Sequence, residues 1–247
     1  MLRGFAGGRL FGARTGTGAP GVLALHGWAR THRDFDAVLS PPGRPALDAV
    51  AVDLPGFGAT PPPDEAWGSA DYARCVVAVV EEMAAPVVVL GHSFGGRVAV
   101  ELAAGRPDLV RALVLTGVPL LRARPPGRPS PRFRLARALH RAGVLGDERM
   151  EAARRRYGSA DYAAARGIMR EVLVRSVGET YEAALDAVAC PVSLVWGDDD
   201  PTVPLAVAEA AAARLARAEL TVCPGAGHLV PLTAPERLRA AVERSLG

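Results

Sequence analysis

Short apolar runs alternate with longer alanine-rich stretches along most of the chain. Several runs, such as residues 21–25 and 87–90, are apolar at consecutive positions, which is typical of strands covered on both faces. Because strands alternate with helical stretches, the pattern predicts a mostly parallel sheet flanked by helices, an α/β fold. The predicted strands are 21–27, 48–54, 86–92, 110–117, 191–197 and 218–224, and the predicted helices are about 69–84, 94–105, 205–216 and 234–246.

The alternation stops between residues 118 and 186, where no apolar strand pattern occurs. We expect this segment to be a helical cap inserted into one core domain, which consists of residues 1–117 and 187–247. The cap segment carries 14 arginines and 8 acidic residues, a net charge of +6, whereas the rest carries 15 arginines and 18 acidic residues, a net charge of −3. A solvated helical face is one interpretation, and a lid that attracts anionic substrates or an acidic carrier protein is the other.

The composition excludes several classes of function. All 29 basic residues are arginine, so the chain has neither a GxxxxGK phosphate loop nor a lysine that forms a Schiff base. Cys75, Cys190 and Cys223 lack CxxC spacing, which favours reduced thiols over zinc ligation. Residues 1–16 lack the apolar stretch of a signal peptide, and no run is long enough for a membrane span. We therefore expect a cytoplasmic protein without a membrane or nucleic-acid partner, since the arginine-rich segment has no aromatic platform.

A Gly-x-Ser-x-Gly sequence, residues 91–95, lies between a predicted strand and a predicted helix. A sharp strand-to-helix bend exposes the central serine and leaves no room for side chains beside it, which explains Gly91 and Gly95. The helix that follows favours negative charge at its N-terminus. This context predicts Ser93 as a nucleophile, with a serine that merely caps the helix as the alternative.

The chain resembles the α/β-hydrolase fold superfamily over nearly its whole length. The motifs that carry the resemblance follow the superfamily's order, each at the end of a predicted strand: LHGW at 25–28, DLPGFG at 53–58, GHSFGG at 91–96, WGDDDPTVP at 196–204 and GAGH at 225–228. The resemblance implies a serine hydrolase fold with an inserted helical cap, and for His26 a structural role in shaping the oxyanion loop.

His228 is the predicted general base for Ser93. It follows the last predicted strand in a loop before the final helix, from where it can reach the sheet's carboxyl edge. His92 is expected to point away from Ser93, and His32 and His140 lie in polar stretches that favour a solvated surface. The final helix is expected to begin with a capping box of Thr233 and Glu236.

The predicted acid comes from three consecutive aspartates, 198–200. A carboxylate must hold the imidazole in the right tautomer, and by resemblance Asp200 occupies the superfamily's acid position because a Val-Pro pair follows it. Asp198 is the rival, since alternate residues of an extended segment share a side. A calcium loop is excluded because Val203 stands where such a loop requires glycine.

Two backbone N–H groups should form the oxyanion hole. One belongs to Phe94, directly after the nucleophile, and the other belongs by resemblance to Trp28. Each donor is worth about 3–4 kcal/mol in the transition state. Arg97 lies one helical turn beyond Ser93. The resemblance implies a contact with a carboxylate-bearing substrate, because some members that act on such substrates carry arginine there, and a surface or salt-bridge role is the alternative.

These features predict a serine hydrolase that cleaves a small or medium carboxylic ester through an acyl-enzyme and requires no metal or organic cofactor. Because residue 93 is serine, the branches with an aspartate nucleophile are disfavoured. A thioesterase or hydrolase of carrier-linked acyl groups, a carbon–carbon bond hydrolase, and a non-catalytic ligand receptor stay open as alternatives. The expected partner is a small-molecule ester or thioester, with an acidic carrier protein as the alternative.

Overall fold

A computed structural model describes residues 1–121, 131–157 and 160–247. Eight strands form one sheet in the order β1-β2-β4-β3-β5-β6-β7-β8, in which β3 to β8 run parallel and β1 and β2 are antiparallel. The strands are β1 Leu2–Phe5, β2 Leu10–Thr15, β3 Val22–Leu25, β4 Ala49–Asp53, β5 Val87–His92, β6 Val110–Thr116, β7 Val192–Gly197 and β8 Ala218–Cys223. All six predicted strands and the mostly parallel α/β fold are confirmed.

Eleven α-helices are described, together with a 3-10 helix at His32–Phe35. They are α1 Asp36–Leu39, α2 Ser69–Glu81, α3 Phe94–Gly105, α4 Pro131–Arg141, α5 Asp147–Tyr157, α6 Ala160–Ala164, α7 Ile168–Gly178, α8 Glu182–Ala187, α9 Leu205–Arg214, α10 Val230–Thr233 and α11 Pro235–Leu246. The four predicted helices are confirmed as α2, α3, α9 and α11. Of the described helices, none is long and apolar enough to cross a bilayer.

The central strands are buried on both faces because helices pack on each side of the sheet, and successive side chains of a strand point to opposite sides. In β5, Val87 and Val89 belong to the larger buried cluster, with residues of α2, α3 and α9, whereas Val88 and Leu90 belong to the second cluster, with residues of α1 and α11. This two-sided burial accounts for the consecutive apolar runs of the central strands. It fixes β5, and with it the residues that follow β5, in the middle of the sheet.

The N-terminal hairpin of β1 and β2 was not predicted. All four residues of β1 lie on the surface or only partly buried, so the segment lacks an apolar face. Strand β2 pairs with β4, at the edge of the parallel sheet. This pairing with residues distant in sequence stabilises β2 as a strand.

The predicted capping box of Thr233 and Glu236 is wrong. Thr233 is already helical, as the last residue of α10, and its hydroxyl donates to the Leu229 carbonyl at 3.1 Å. Helix α11 begins at Pro235 without a side-chain cap, and Glu236 instead accepts a hydrogen bond from Arg44. The short helix upstream leaves Thr233 no extended backbone from which it could cap α11.

Helices α4 to α8 lie between β6 and β7, within the segment predicted as a cap. Residues 122–130 and 158–159 of that segment lie outside the described residues, and its division from the core stays a prediction. The Glu179 carboxylate connects the segment to the start of α2, where it accepts hydrogen bonds from the Ser69 backbone N–H at 3.0 Å and the Ser69 hydroxyl at 2.6 Å. Within the segment it also accepts one from the Tyr181 hydroxyl at 2.7 Å. Hydrogen bonds to a charged acceptor are the stronger kind, so α7 and α8 are held to the core.

Candidate active site

Three strand ends bring Ser93, Asp200 and His228 together. Ser93 follows β5, Asp200 follows β7 and His228 follows β8, and parallel strands end at the same edge of a sheet. The Ser93 hydroxyl lies 3.1 Å from Nε2 of His228, and Nδ1 of His228 lies 2.8 Å from Oδ2 of Asp200. The three residues predicted as nucleophile, base and acid thus form one hydrogen-bonded chain.

Ser93 has a backbone conformation that few residues other than glycine adopt, with φ 50° and ψ −111°. Its N–H donates to the Thr116 carbonyl of β6 at 2.9 Å, which holds the bend against the sheet. A Cβ added to Gly91 would lie 2.6 Å from Cα of Gly96, and one added to Gly95 would lie 2.1 Å from the Leu25 carbonyl oxygen. The predicted reason for the two glycines is therefore confirmed: α3 approaches the strands too closely for a side chain.

Both carboxylate oxygens of Asp200 accept hydrogen bonds. Oδ1 accepts the backbone N–H groups of Thr202 at 2.8 Å and Val203 at 2.9 Å, which leaves Oδ2 for His228. Burial raises the pKa of Asp200, but the hydrogen bonds from His228, Val203 and Thr202 outweigh burial, so its pKa lies below the ordinary value. The side chain is therefore an anion at neutral pH.

The two neighbouring aspartates differ from Asp200 in exposure. Asp198 and Asp199 are exposed, and Oδ1 of Asp198 accepts the Gly225 N–H at 2.7 Å, within the turn after β8. Of the three consecutive aspartates, Asp200 is buried and bonded to His228, and the other two lie on the surface. Asp200, and not Asp198, is hydrogen-bonded to His228.

The ring of His228 packs over Gly117, the residue that follows β6. Gly117 has φ +59°, and a Cβ there would lie 3.0 Å from both Cε1 and Nδ1 of the ring. Glycine suits this position, because a side chain would be strained at this φ and would crowd the His228 ring. No sequence pattern around residue 117 signals this contact, because His228 lies far away along the chain.

The predicted oxyanion donors lie next to the bend. Phe94 is the first residue of α3, where backbone N–H groups have no intrahelical acceptor. Within the described part of the chain, the N–H groups of Trp28 and Phe94 donate to no protein acceptor. The Trp28 ring packs edge-on against the rings of Phe57 and Phe94, with centroids 4.9 Å and 5.5 Å apart. The use of the two N–H groups as an oxyanion hole stays a prediction.

His26 shapes the loop that carries Trp28. The Leu54 N–H donates to Nε2 of His26 at 2.9 Å, so Nδ1 carries the proton and donates to the Gly27 carbonyl at 2.7 Å. Burial lowers the pKa of His26 to about 4, and the ring is neutral. The structural role that the resemblance implies agrees with these contacts, which tie the end of β3 to the end of β4.

The predicted solvent exposure of His32 is wrong. Its backbone N–H and Nδ1–H donate to Oδ1 of Asp53 at 2.8 and 2.7 Å, and Asp53 is buried at the end of β4. Burial raises the pKa of Asp53, but hydrogen bonds from His32 and Ala59 reverse the shift and lower it. A buried carboxylate needs hydrogen-bond donors, so Asp53 draws on His32 from a distant part of the chain. The polar sequence around His32 does not indicate this contact. His140 is half-buried, and its Nδ1 lies 2.9 Å from the Leu145 carbonyl.

Arg97 reaches the inserted helices. Its guanidinium donates to the Ser176 carbonyl of α7 at 2.6 Å and lies over the Tyr181 ring, 5.6 Å from the centroid. These contacts give Arg97 a packing role between α3 and the insertion. A contact between Arg97 and a substrate carboxylate stays a prediction.

Among the described residues, no group of three or more His, Cys, Asp or Glu side chains is placed to hold a metal ion. Cys75, Cys190 and Cys223 are free thiols, and burial raises the pKa of each. The chemistry that the described arrangement offers is proton transfer from a hydroxyl to an imidazole held by a carboxylate.

Comparison with known proteins matches residues 22–241 to the model of the alpha/beta hydrolase family. The pimeloyl-(acyl-carrier protein) methyl ester esterase of Aromatoleum aromaticum is 32% identical over 91% of this chain and 97% of that protein. The 2-hydroxy-6-oxononadienedioate/2-hydroxy-6-oxononatrienedioate hydrolase of Cupriavidus pinatubonensis is 28% identical over 87% of this chain and 82% of that protein. A solved structure of a thermophilic esterase from Thermogutta terrifontis, with malate bound, is 25% identical and covers 100% of this chain and 98% of its own, with a TM-score of 0.69.

We predict that the free energy of unfolding falls as the pH is lowered from about 6.5 towards 4. Burial lowers the pKa of both His26 and His92 from 6.5 to about 4, so in this range the unfolded chain binds more protons than the folded chain. Each histidine contributes up to about 1.4 kcal/mol per pH unit.

Urea denaturation at several pH values between about 7 and 5 measures this slope. His92→Gln removes one of the two contributions, so its stability should depend less steeply on pH than that of the wild type. Equal slopes for the two proteins would contradict the neutral state of His92.

Proposed function

Because the chain belongs to the alpha/beta hydrolase family, we propose that it is a serine hydrolase that cleaves a carboxylic ester, with Ser93 as nucleophile. One observation carries the proposal: the hydrogen-bonded chain from the Ser93 hydroxyl through His228 to Asp200. A hydroxyl becomes a useful nucleophile when a positioned base takes its proton, and this chain supplies the base and the group that orients it.

In the proposed reaction, Oγ of Ser93 attacks the ester carbonyl while Nε2 of His228 takes the hydroxyl proton. Asp200 accepts the Nδ1 proton of His228, which keeps Nε2 free as the base and stabilises the imidazolium that forms. The negative charge of the tetrahedral intermediate lies on the former carbonyl oxygen, and the N–H groups of Trp28 and Phe94 are the proposed donors to it. His228 then gives its proton to the leaving alcohol, and water hydrolyses the acyl-enzyme by the same steps.

Ser93→Ala tests the proposal. With a p-nitrophenyl ester of a short acyl chain, the variant should lose turnover by several orders of magnitude, because the nucleophile itself is removed. Ser40→Ala, at an exposed serine outside the site, is the matched control and should retain the wild-type rate. A Ser93→Ala variant that hydrolyses the ester at the wild-type rate would overturn the proposal, and a wild type without turnover of any ester would favour a ligand receptor.

Asp200→Asn and Asp198→Asn separate the acid from its exposed neighbour. An asparagine at position 200 cannot stabilise the imidazolium and favours the wrong tautomer of His228, so kcat should fall about 10³–10⁴-fold. Asp198→Asn changes a surface turn and should leave kcat close to the wild-type value. A larger loss of kcat in Asp198→Asn than in Asp200→Asn would refute the assignment.

A substrate whose acyl group is attached to an acidic carrier is the second candidate, and the charge of α4 favours it. Helix α4 carries Arg132, Arg134, Arg137 and Arg141 and no acidic residue, and in the described ranges none of the four pairs with a carboxylate. A cavity of about 670 Å³ borders this helix. Its lining combines apolar and aromatic side chains with charged ones: Ala66, Phe133, Met150, Tyr162 and Val174, and Arg137, Arg170, Glu171 and Arg175. The relative from Aromatoleum aromaticum is named for an ester on an acyl-carrier protein. A thioesterase and a carbon–carbon bond hydrolase stay as alternatives.

Charge reversal on α4 tests the carrier hypothesis. With an ester presented on an acyl-carrier protein, the double variant Arg134→Glu/Arg141→Glu should lower kcat/KM about tenfold or more, because complementary charge speeds the encounter. The same variant should hydrolyse a free, uncharged ester at the wild-type rate. Arg3→Glu, at an exposed arginine of β1, is the control for a general change in charge.

Added salt should reduce kcat/KM of the wild type for the carrier-linked ester and not for the free ester. Equal salt dependence for both substrates, or an unchanged rate in the α4 variant, would remove the carrier hypothesis and leave the ester hydrolase proposal intact.

A further inference from the structure

His92 is buried next to the proposed nucleophile, but it bonds to a different residue of the site. It is the last residue of β5, and it is 1% exposed. Its Nε2 lies 3.0 Å from the backbone carbonyl oxygen of His228. Because a carbonyl can only accept, Nε2 of His92 carries the proton and donates it.

The main chain of His228 has little else to hold it. Within the described part of the chain, its carbonyl accepts only from His92, and its N–H donates to no acceptor. The imidazole of His228 must nevertheless lie within hydrogen-bond distance of Ser93 on one side and Asp200 on the other. Among the described residues, the bond from His92 is thus the one hydrogen bond to the main chain of His228, from which this imidazole projects.

The His92 ring also packs against Gly27, along its Nδ1–Cε1 edge. A Cβ added to Gly27 would lie 2.8 Å from Nδ1 and 3.0 Å from Cε1 of the ring, so the ring rests directly on the Gly27 backbone. Gly27 precedes Trp28, whose N–H is a proposed oxyanion donor. The ring therefore contacts both the loop after β3 and the loop after β8.

We propose that His92 is a positioning residue for the hydrolysis: its Nε2–H bond to the His228 carbonyl, with its ring packed on Gly27, keeps the His228 imidazole in reach of both Ser93 and Asp200. This inference rests on the proposed function, because it assigns His228 as the base. A displacement of about 1 Å in a catalytic group can cost about 10²-fold in rate, so one buried hydrogen bond at this place has a large effect.

His92 acts as a neutral donor and does not transfer the reacting proton. Burial, followed by the nearby ring of His228, lowers its pKa to about 4. The hydrogen bond to the His228 carbonyl opposes this shift in pKa, and the charges of Asp34 and Arg30 act on it in opposite directions. Its ring centroid lies 5.0 Å from that of His228, and its bond goes to the main chain. The pH dependence of kcat/KM above about pH 5 should therefore not report a titration of His92.

Three substitutions at position 92 test the inference. His92→Phe keeps a ring and removes the donor. His92→Asn places an amide N–H near the position of Nδ1, too short to reach the His228 carbonyl, whereas His92→Gln places an amide N–H near the position of Nε2. We expect His92→Phe and His92→Asn to lower kcat about 10²-fold with little change in KM, and His92→Gln to restore most of the lost kcat.

Proton NMR supplies a readout that a general loss of stability would not mimic. The Nδ1 proton shared by His228 and Asp200 gives a far-downfield resonance when the imidazole is held. That resonance should be present in the wild type and in His92→Gln, and should broaden or disappear in His92→Phe and His92→Asn. If His92→Phe does not fold, the Asn and Gln variants decide between the outcomes.

The inference and the proposed function fail in different ways. If Ser93→Ala is inactive but His92→Phe and His92→Asn retain the wild-type kcat and the downfield resonance, the positioning role is wrong and the hydrolase proposal stands. Equal losses of kcat in the Asn and Gln variants would also overturn it, because the donor position would not matter. If Ser93→Ala remains active, the proposed function fails first.

Discussion

The backbone of Ser93 is held in a sparsely populated conformation, and the rest of the site is arranged around that residue. Strain of this kind costs about 1–3 kcal/mol and persists only where the surroundings enforce it. Here the Ser93 N–H is bonded to β6, and the helix after the bend packs so closely on the strands that positions 91 and 95 have no room for a side chain. The result is a hydroxyl at the carboxyl edge of the sheet, where the loops after β7 and β8 place Asp200 and His228.

Burial and hydrogen bonding together set the protonation states of the polar groups around Ser93. His26 and His92 are neutral, since burial lowers the pKa of each to about 4. His26 bonds to backbone groups through both ring nitrogens, and His92 through Nε2. Asp200 and Asp53 stay anionic because hydrogen bonds outweigh the cost of burial. The neutral rings thus serve as fixed donors and acceptors for the loops, and the buried carboxylates each pair with an imidazole.

The sequence predicts those parts of the fold that depend on local pattern. Strands β3 to β7 are recognisable because they are largely buried on both faces, and Ser93 and Asp200 because each follows such a strand. Strand β8 lies at the edge of the sheet and is only partly buried, but its strand pattern still predicts the loop that carries His228. The capping box failed for a local reason, because Thr233 belongs to the short helix α10. The other failures depend on contacts distant in sequence. Strand β1 has no buried face of its own, and His32 is drawn from solvent by a carboxylate 21 residues away. The bond between His92 and His228 spans 136 residues, and neither local sequence contains a signal for it. The net positive charge of the insertion can be counted from the sequence, but the sequence does not predict which of its residues contact a substrate.

Mass spectrometry of the acylated wild-type protein tests the central claim most directly. The protein is mixed with a p-nitrophenyl ester, quenched in acid within the first turnover, digested and mapped by peptide. A converging hydroxyl, imidazole and carboxylate at this sheet edge predicts one acyl group per chain, located on Ser93. An acyl group on another side chain, or turnover with no covalent adduct at any time, would contradict the account.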